Sequence, residues 1–185
     1  MHDIRSALPG AEYEGYVTLR EAGLCGMITL RGDPDTLRDA LREAAGLDLP
    51  GMRRVSVVGD HALAWMSPDE MLLMLPYADA PATAARLQSA LAHRFASVAD
   101  VSDARAVFHI AGPRGAEVLA KLCPVDTAAL TPGDIRRTRA AQVACAVWVP
   151  EPGVFVLICF RSVAQYVFDA LALSARPGGE VAGFA

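Results

Sequence analysis

Few residues in this chain have types and spacings that bear on chemistry, and each has a plainer structural reading beside the chemical one. Asp69-Glu70 are paired carboxylates of the kind that serve as general acid and base. Adjacent residues at a turn before a strand point to opposite sides, however, so the pair reads as a solvated turn. His2, His61, His93 and His109 show neither H-x-x-x-H nor H-E-x-x-H spacing, and no metal site is expected from them. Gly112-Pro113-Arg114-Gly115 places glycines at a helix start, where backbone amides meet anions. The P-loop lysine and the G-x-G-x-x-G spacing are both missing, so the segment reads as a helix cap. Ser102-Asp103 ahead of Arg105 is a polar pair at a strand edge, suited to a pterin, to a partner arginine or simply to capping a turn. Cys25, Cys123, Cys145 and Cys159 lie in apolar surroundings without C-x-x-C spacing and read as reduced, buried thiols. No nucleophile stands in a recognisable elbow, and no cysteine is flanked by charges that would lower its pKa. No catalytic residue is expected.

Composition narrows the classes further. A chain of 185 residues, 53% hydrophobic, has enough apolar surface for a substantial core. A net charge of −4 argues against a general phosphate-binding surface and hence against nucleic acid. Lys121 is the only lysine, so the basic residues are almost all arginine, whose planar forks suit carboxylates on a partner. No uninterrupted apolar run approaches the roughly 20 residues that cross a bilayer. Residues 1–10 lack a secretory apolar region, and a soluble cytoplasmic protein is expected.

The elements that must position these residues come in two echoing halves. Arg53-Arg54 precede Trp65 by 12 and 11 residues, and Arg136-Arg137 precede Trp148 at the same spacing, 83 residues later. Strands are predicted over 16–21 and 27–31. Asp33-Pro34 then caps a helix with the stripe Leu37, Ala40, Leu41 and Ala44, closed by Gly46. Strands over 53–58, 62–66 and 71–76 lead to a helix over 81–95, with Ala84, Leu87, Leu91 and Phe95 on one face, and to a closing strand near 97–101. The second half repeats the order. A strand over 106–111 is followed by a short helix carrying Val118, Leu119 and Leu122, strands within 135–149 and over 154–160, and a last helix begun by a Ser162-x-x-Gln165 capping box. Residues 176–179 read as a frayed tail.

The expected fold is α+β: a single compact unit built from two pseudo-repeated strand-helix-strand-strand-helix halves, about 16–101 and 102–176, with a tail over 177–185. Their sheets would be ferredoxin-like, with helices packed on one face. The second half lacks a closing strand of its own, so the N-terminal strand is expected to complete its sheet.

Several segments together carry a family resemblance. They are Gly46-Leu47-Asp48-Leu49-Pro50, Trp65-Met66-Ser67-Pro68-Asp69-Glu70-Met71-Leu72-Leu73, Val101-Ser102-Asp103-Ala104-Arg105, the LAKLCPVD of 119–126, residues 137–143, and Phe160-Arg161-Ser162. In this order and spacing, over roughly 17–175, the chain resembles the gamma-subunit family of heterotetrameric sarcosine oxidases. The resemblance implies a shortened relative of the folate-binding aminomethyltransferase fold. It also implies membership of a complex that oxidatively demethylates sarcosine to glycine, passes the one-carbon unit to tetrahydrofolate or releases formaldehyde, and reduces oxygen to hydrogen peroxide. In such complexes FAD, FMN, NAD and tetrahydrofolate belong to the large alpha and beta subunits, and zinc to a small delta subunit. A gamma subunit is then non-catalytic, binds no cofactor or metal, and docks mainly on alpha.

Arg53, Arg54, Arg136, Arg137 and Arg139 are the candidate rim of that interface. Two departures from the family pattern stand out: Gly115, where alanine is frequent, and Thr131, where an aromatic is common. The competing reading is a stand-alone tetrahydrofolate-binding or aminomethyltransferase-like protein, which needs a buried carboxylate against the pterin, with Asp103 or Asp126 as candidates. A folate-dependent iron-sulfur maintenance protein is disfavoured, because its K-G-C-x-x-G-Q-E motif is missing and residues 133–143 contain no cysteine.

Overall fold

The computed structural model describes residues 4–181; His2 lies outside them. The chain divides into two units, one made of residues up to Gly23 together with those from Asp103 onward, the other of Leu24–Ser102. The polypeptide therefore leaves the first unit, builds the second, and returns. Among the described residues no helix is long and apolar enough to cross a membrane.

The second unit contains strands β3 (Gly26–Gly32), β4 (Val55–Val58), β5 (His61–Ser67), β6 (Glu70–Leu75) and β7 (Ala96–Asp100), and helices α1 (Pro34–Ala45) and α2 (Ala80–Ala90). Its five-stranded sheet runs β4-β5-β6-β3-β7, antiparallel throughout. The cap of α1 forms as its sequence predicts. The Asp33 carboxylate accepts the N–H groups of Asp35 at 2.9 Å and Thr36 at 3.4 Å, and Gly46 closes the helix at φ 66°. Leu37, Leu41, Leu87 and Leu91 pack with Ile28, Leu30, Leu63 and Leu73 of the sheet into one core.

Two expectations in this unit are corrected. The second helix ends at Ala90 rather than continuing through Phe95, because the chain must turn there for Ala96 to register with Gly32 in the sheet. Phe95 is fully exposed as a result. Glu70 also leaves the predicted turn. It begins β6 opposite Arg31, is buried, and pairs with that arginine at 2.7 Å, so only Asp69 remains a turn carboxylate.

The first unit holds strands β1 (Glu12–Glu14), β2 (Thr18–Glu21), β8 (Arg105–Ala111), β9 (Ile135–Ala140), β10 (Val143–Glu151) and β11 (Val154–Phe160), and helices α3 (Gly115–Ala120) and α4 (Ala164–Ser174). The sheet order is β1-β2-β8-β11-β10-β9. β2 pairs with β8 through Thr18↔Ala111 and Leu19↔Ile110, the place in which the sequence reading puts the N-terminal strand. β1, an alternation of Glu12, Tyr13 and Glu14 too short to signal itself, adds an unpredicted outer strand. Leu19, Phe108, Ile110, Val118, Leu119, Leu157, Val167 and Leu171 form the core, with the Phe108 and Phe168 rings 5.7 Å apart.

The last helix starts differently from its prediction. A 3₁₀ turn at Arg161–Val163 runs straight out of β11, so Val163 sits at the N-cap without a side-chain bond, and Gln165 donates to Asp169 instead of back to Ser162. The tail is not frayed over the described residues. Arg176-Pro177-Gly178-Gly179 makes a turn closed by Gly179 N–H to Arg176 C=O at 3.0 Å, with Gly178 at φ 83°. It sends residues 179–181 back over α3.

Candidate functional site

The predicted interface arginines lie on sheet margins. In the second unit Arg53 is exposed in the turn before edge strand β4 and Arg54 in the bridge that leads into it; Arg53 has φ 61°, and the Arg54 carbonyl accepts the Trp65 N–H at 3.1 Å. In the first unit Arg136, Arg137 and Arg139 line edge strand β9. Arg137 and Arg139 alternate onto one face and are exposed, whereas Arg136 is half-buried and bonds the Ile135 carbonyl at 2.9 Å. Charged side chains along an open edge also oppose strand-to-strand aggregation.

The two tryptophans occupy matching places within their own sheets. Trp65 precedes a bulge in the β5–β6 hairpin and registers with Met71; Trp148 precedes a bulge in the β10–β11 hairpin and registers with Val156. Trp65 packs on the core of its unit, while the buried Trp148 Nε1 has no hydrogen-bond partner among the described residues.

Asp103 is exposed in a 3₁₀ turn, and Asp126 is exposed and bonds the Ala129 N–H at 3.3 Å. The three cysteines of the first unit are buried thiols and Cys25 is half-buried, all unbridged. Cys145 registers with Cys159 across β10 and β11. Burial raises the Cys159 thiol to about 11, which keeps it protonated and unreactive at neutral pH. Among the described residues no three His, Cys, Asp or Glu side chains gather as a metal would require.

Among the described residues the fully buried carboxylate is Glu117 on α3, which sequence reasoning did not single out. Arg114 Nε reaches its Oε2 at 2.7 Å. Lys121 Nζ lies 3.1 Å from Oε1, the Tyr16 hydroxyl donates to Oε1 at 3.3 Å, and the Val181 N–H donates to it at 2.7 Å. Lys121 further donates to Tyr16 Oη at 2.8 Å, the Ser174 carbonyl at 3.1 Å and the Gly179 carbonyl at 2.6 Å. The Tyr16 ring lies beside both cations.

Burial alone pushes the Glu117 carboxyl up. The Val181 N–H, Arg114 and Lys121 outweigh it and hold the group at about 2, so the carboxylate stays charged. Lys121 is held above its ordinary value: desolvation lowers it, but bonds to Tyr16 and Glu117 prevail. Such a group is a fastening, since each of its partners is already engaged. The signal was present in the sequence as Arg114-x-x-Glu117-x-x-x-Lys121, which aligns three charges on one face of a helix. Beside it, an open groove of about 580 Å³ runs between α3, α4 and the β9–β10 turn, lined by Leu122, Ala141, Tyr166 and Leu173 among others.

A mixed α/β chain of antiparallel sheets with two helices each shares its fold with the glycine cleavage system aminomethyltransferase T of Bartonella henselae. The match has a TM-score of 0.61 at 15% identity, over 85% of this chain and 45% of that one. A much nearer likeness is to a chain of the heterotetrameric sarcosine oxidase of Corynebacterium sp. U-96, solved in complex with pyrrole 2-carboxylate. There the TM-score is 0.80 at 30% identity, over 89% of this chain and 87% of that chain. In sequence, the sarcosine oxidase gamma subunit of Corynebacterium sp. (strain U-96) is 38% identical over 129 residues, which is 66% of this chain and 62% of the relative. That of an Arthrobacter species is 31% identical over 128 residues, 66% of this chain and 61% of the relative. The chain thus matches less than two thirds of the length of these relatives. Residues 31–175 match the sarcosine oxidase, gamma subunit family, and the chain belongs to that family.

Proposed function

We propose that this chain is a non-catalytic accessory subunit of a heterotetrameric, flavin- and folate-dependent sarcosine oxidase that oxidatively demethylates sarcosine to glycine. The observation that carries this reading is the likeness, at a TM-score of 0.80, to a chain of a heterotetrameric sarcosine oxidase. The internal chemistry supports it. Asp103 and Asp126 lie exposed, and the buried Glu117 is committed to residues of its own unit. The partners are alpha, beta and delta subunits, alpha chiefly, with FAD, FMN, NAD, tetrahydrofolate and zinc carried by those chains, in the cytoplasm. The docking rim includes Arg53, Arg54, Arg136, Arg137 and Arg139, whose exposed members can pair with partner carboxylates.

The architecture we attach to this role is a duplicated one. Strand order β4-β5-β6-β3-β7 in one sheet corresponds to β9-β10-β11-β8-β2 in the other, with a tryptophan before the bulge of the equivalent hairpin in each. This correspondence supports two pseudo-repeated, ferredoxin-like halves.

Co-expression with alpha, beta and delta subunits, followed by affinity capture on this chain, tests the role. Stoichiometric recovery of all four chains is expected, with flavin absorbance following the captured partners and none in the isolated chain. Capture of this chain alone, or turnover of sarcosine by it alone, refutes the reading.

A further inference from the structure

Arg114, Glu117 and Lys121 project from one face of α3 and its two ends, and together they hold residues 179–181 in a particular way. Glu117 Oε1 accepts the Val181 N–H at 2.7 Å, and Arg114 Nη2 donates to the carbonyl of the same residue at 3.1 Å. Two residues earlier along the segment, the Gly179 carbonyl accepts from Lys121 Nζ at 2.6 Å. The N–H and C=O of one residue are thus taken by the two members of one ion pair, and a carbonyl at the i−2 position by a third charge. Positions two apart are those that an extended chain turns to the same side. All three polar contacts go to main-chain atoms; Glu180 between them is exposed, and Val181 is 46% exposed. A segment with little apolar burial depends for its place on those charge-assisted main-chain bonds, so weakening one of them shifts the balance toward the open form.

We propose that the Arg114–Glu117–Lys121 face is a peptide-binding site that reads main chain, accepts an extended segment with little regard to its side chains, and is occupied here in cis by residues 179–181. The turn at Pro177-Gly178 delivers that occupant, and its opening leaves the same three groups able to take an extended segment from another chain.

Because Lys121 is the only lysine, its acylation by an amine-reactive ester, mapped by peptide mass in the full-length chain, reports whether the site is covered. Val181→Pro removes the donated N–H without altering α3 and is expected to raise the Lys121 labelling rate about tenfold or more, the size of a charge-assisted hydrogen bond. Val181→Ala keeps the N–H and is expected to label like the unaltered chain. Millimolar acetyl-Gly-Gly-Glu-Val-Ala-amide should restore protection to the Val181→Pro chain, and the same peptide N-methylated at valine should not. Unchanged labelling of Val181→Pro, or equal labelling of the proline and alanine variants, overturns main-chain reading. Failure of the unmethylated peptide to protect overturns the peptide site.

Discussion

The N-terminal strand offers the sharpest test of how this chain is held together. Leu19 is fully buried, registers with Ile110 of β8, and belongs to the core of the first unit, although it lies more than eighty residues before β8 in sequence. Leu19→Ala removes buried methyl groups and leaves a cavity in a sheet-and-helix core, a change that costs about 3 kcal/mol. With a urea dependence of about 2 kcal/mol per molar for a domain of ordinary size, the midpoint should fall by about 1.5 M. The two tryptophans make the assay specific, since Trp148 lies in the first unit and Trp65 in the second. In a Trp65→Phe background, fluorescence follows the unit that contains Leu19; in a Trp148→Phe background, it follows the other.

If the chain is one cooperative body, as its departure from and return to the first unit suggest, Leu19→Ala shifts both reporters equally. A shift of the Trp148 reporter alone would show that the units unfold separately and would refute the single-body reading. A midpoint unmoved in both would refute the placement of β2. Deleting residues 1–23 goes further: it removes the buried Val17 and Leu19 and leaves β8 an open edge. That loss, about 5 kcal/mol by the same reasoning, is comparable to the whole stability of many domains, so soluble aggregate is the expected product on gel filtration.

Three further changes have signs that can be worked out. Gly115→Ala would raise helix propensity in α3, but a Cβ there would meet the Phe155 ring at 2.9 and 3.1 Å; because Phe155 is itself buried, a net loss of about 1 kcal/mol in a thermal melt is expected. Gln142→Gly should instead stabilise by about 0.5–1 kcal/mol, since Ala141 and Gln142 make the β9–β10 turn at φ 46° and 76° without a glycine. Glu117 titrates near 4.5 when unfolded and at about 2 when folded, so its stabilisation is complete above pH 4.5 and is lost as the pH falls toward 2. Glu117→Gln should therefore flatten the acid limb of the stability profile in that window, and an unchanged acid limb would contradict the ion-pair assignment.

How much of this could be read beforehand depended on whether the signal was local. The Asp33 cap, the α1 stripe and Gly46 were legible because an N-cap, a 3.6-residue period and a left-handed C-cap are properties of neighbouring residues. Even the place of β2 followed from counting strands in two halves with a shared cadence. Phe95 was misplaced because a helical stripe says nothing about where the next strand must begin, and it was the register of Ala96 with Gly32 that ended the helix. Glu70 was misplaced for a related reason, since a turn residue and the first residue of a strand differ only by the cross-strand neighbour, here Arg31.

The candidate site shows the same division more strongly. Exposed arginines can be listed from composition, but the work that Glu117 does rests on Tyr16, Ser174, Gly179 and Val181, none of them near it in sequence. For the buried carboxylate that a folate site needs, the sequence offers Asp103, in a polar pair at a strand edge, and Asp126, and both lie exposed. The buried carboxylate was instead the middle member of a charged helix face, where its cations neutralise it and the returning tail covers it. A charge that looks like ordinary helix-surface solvation acquires a structural role only when a distant segment supplies the cover, and here that segment is the tail beyond Pro177.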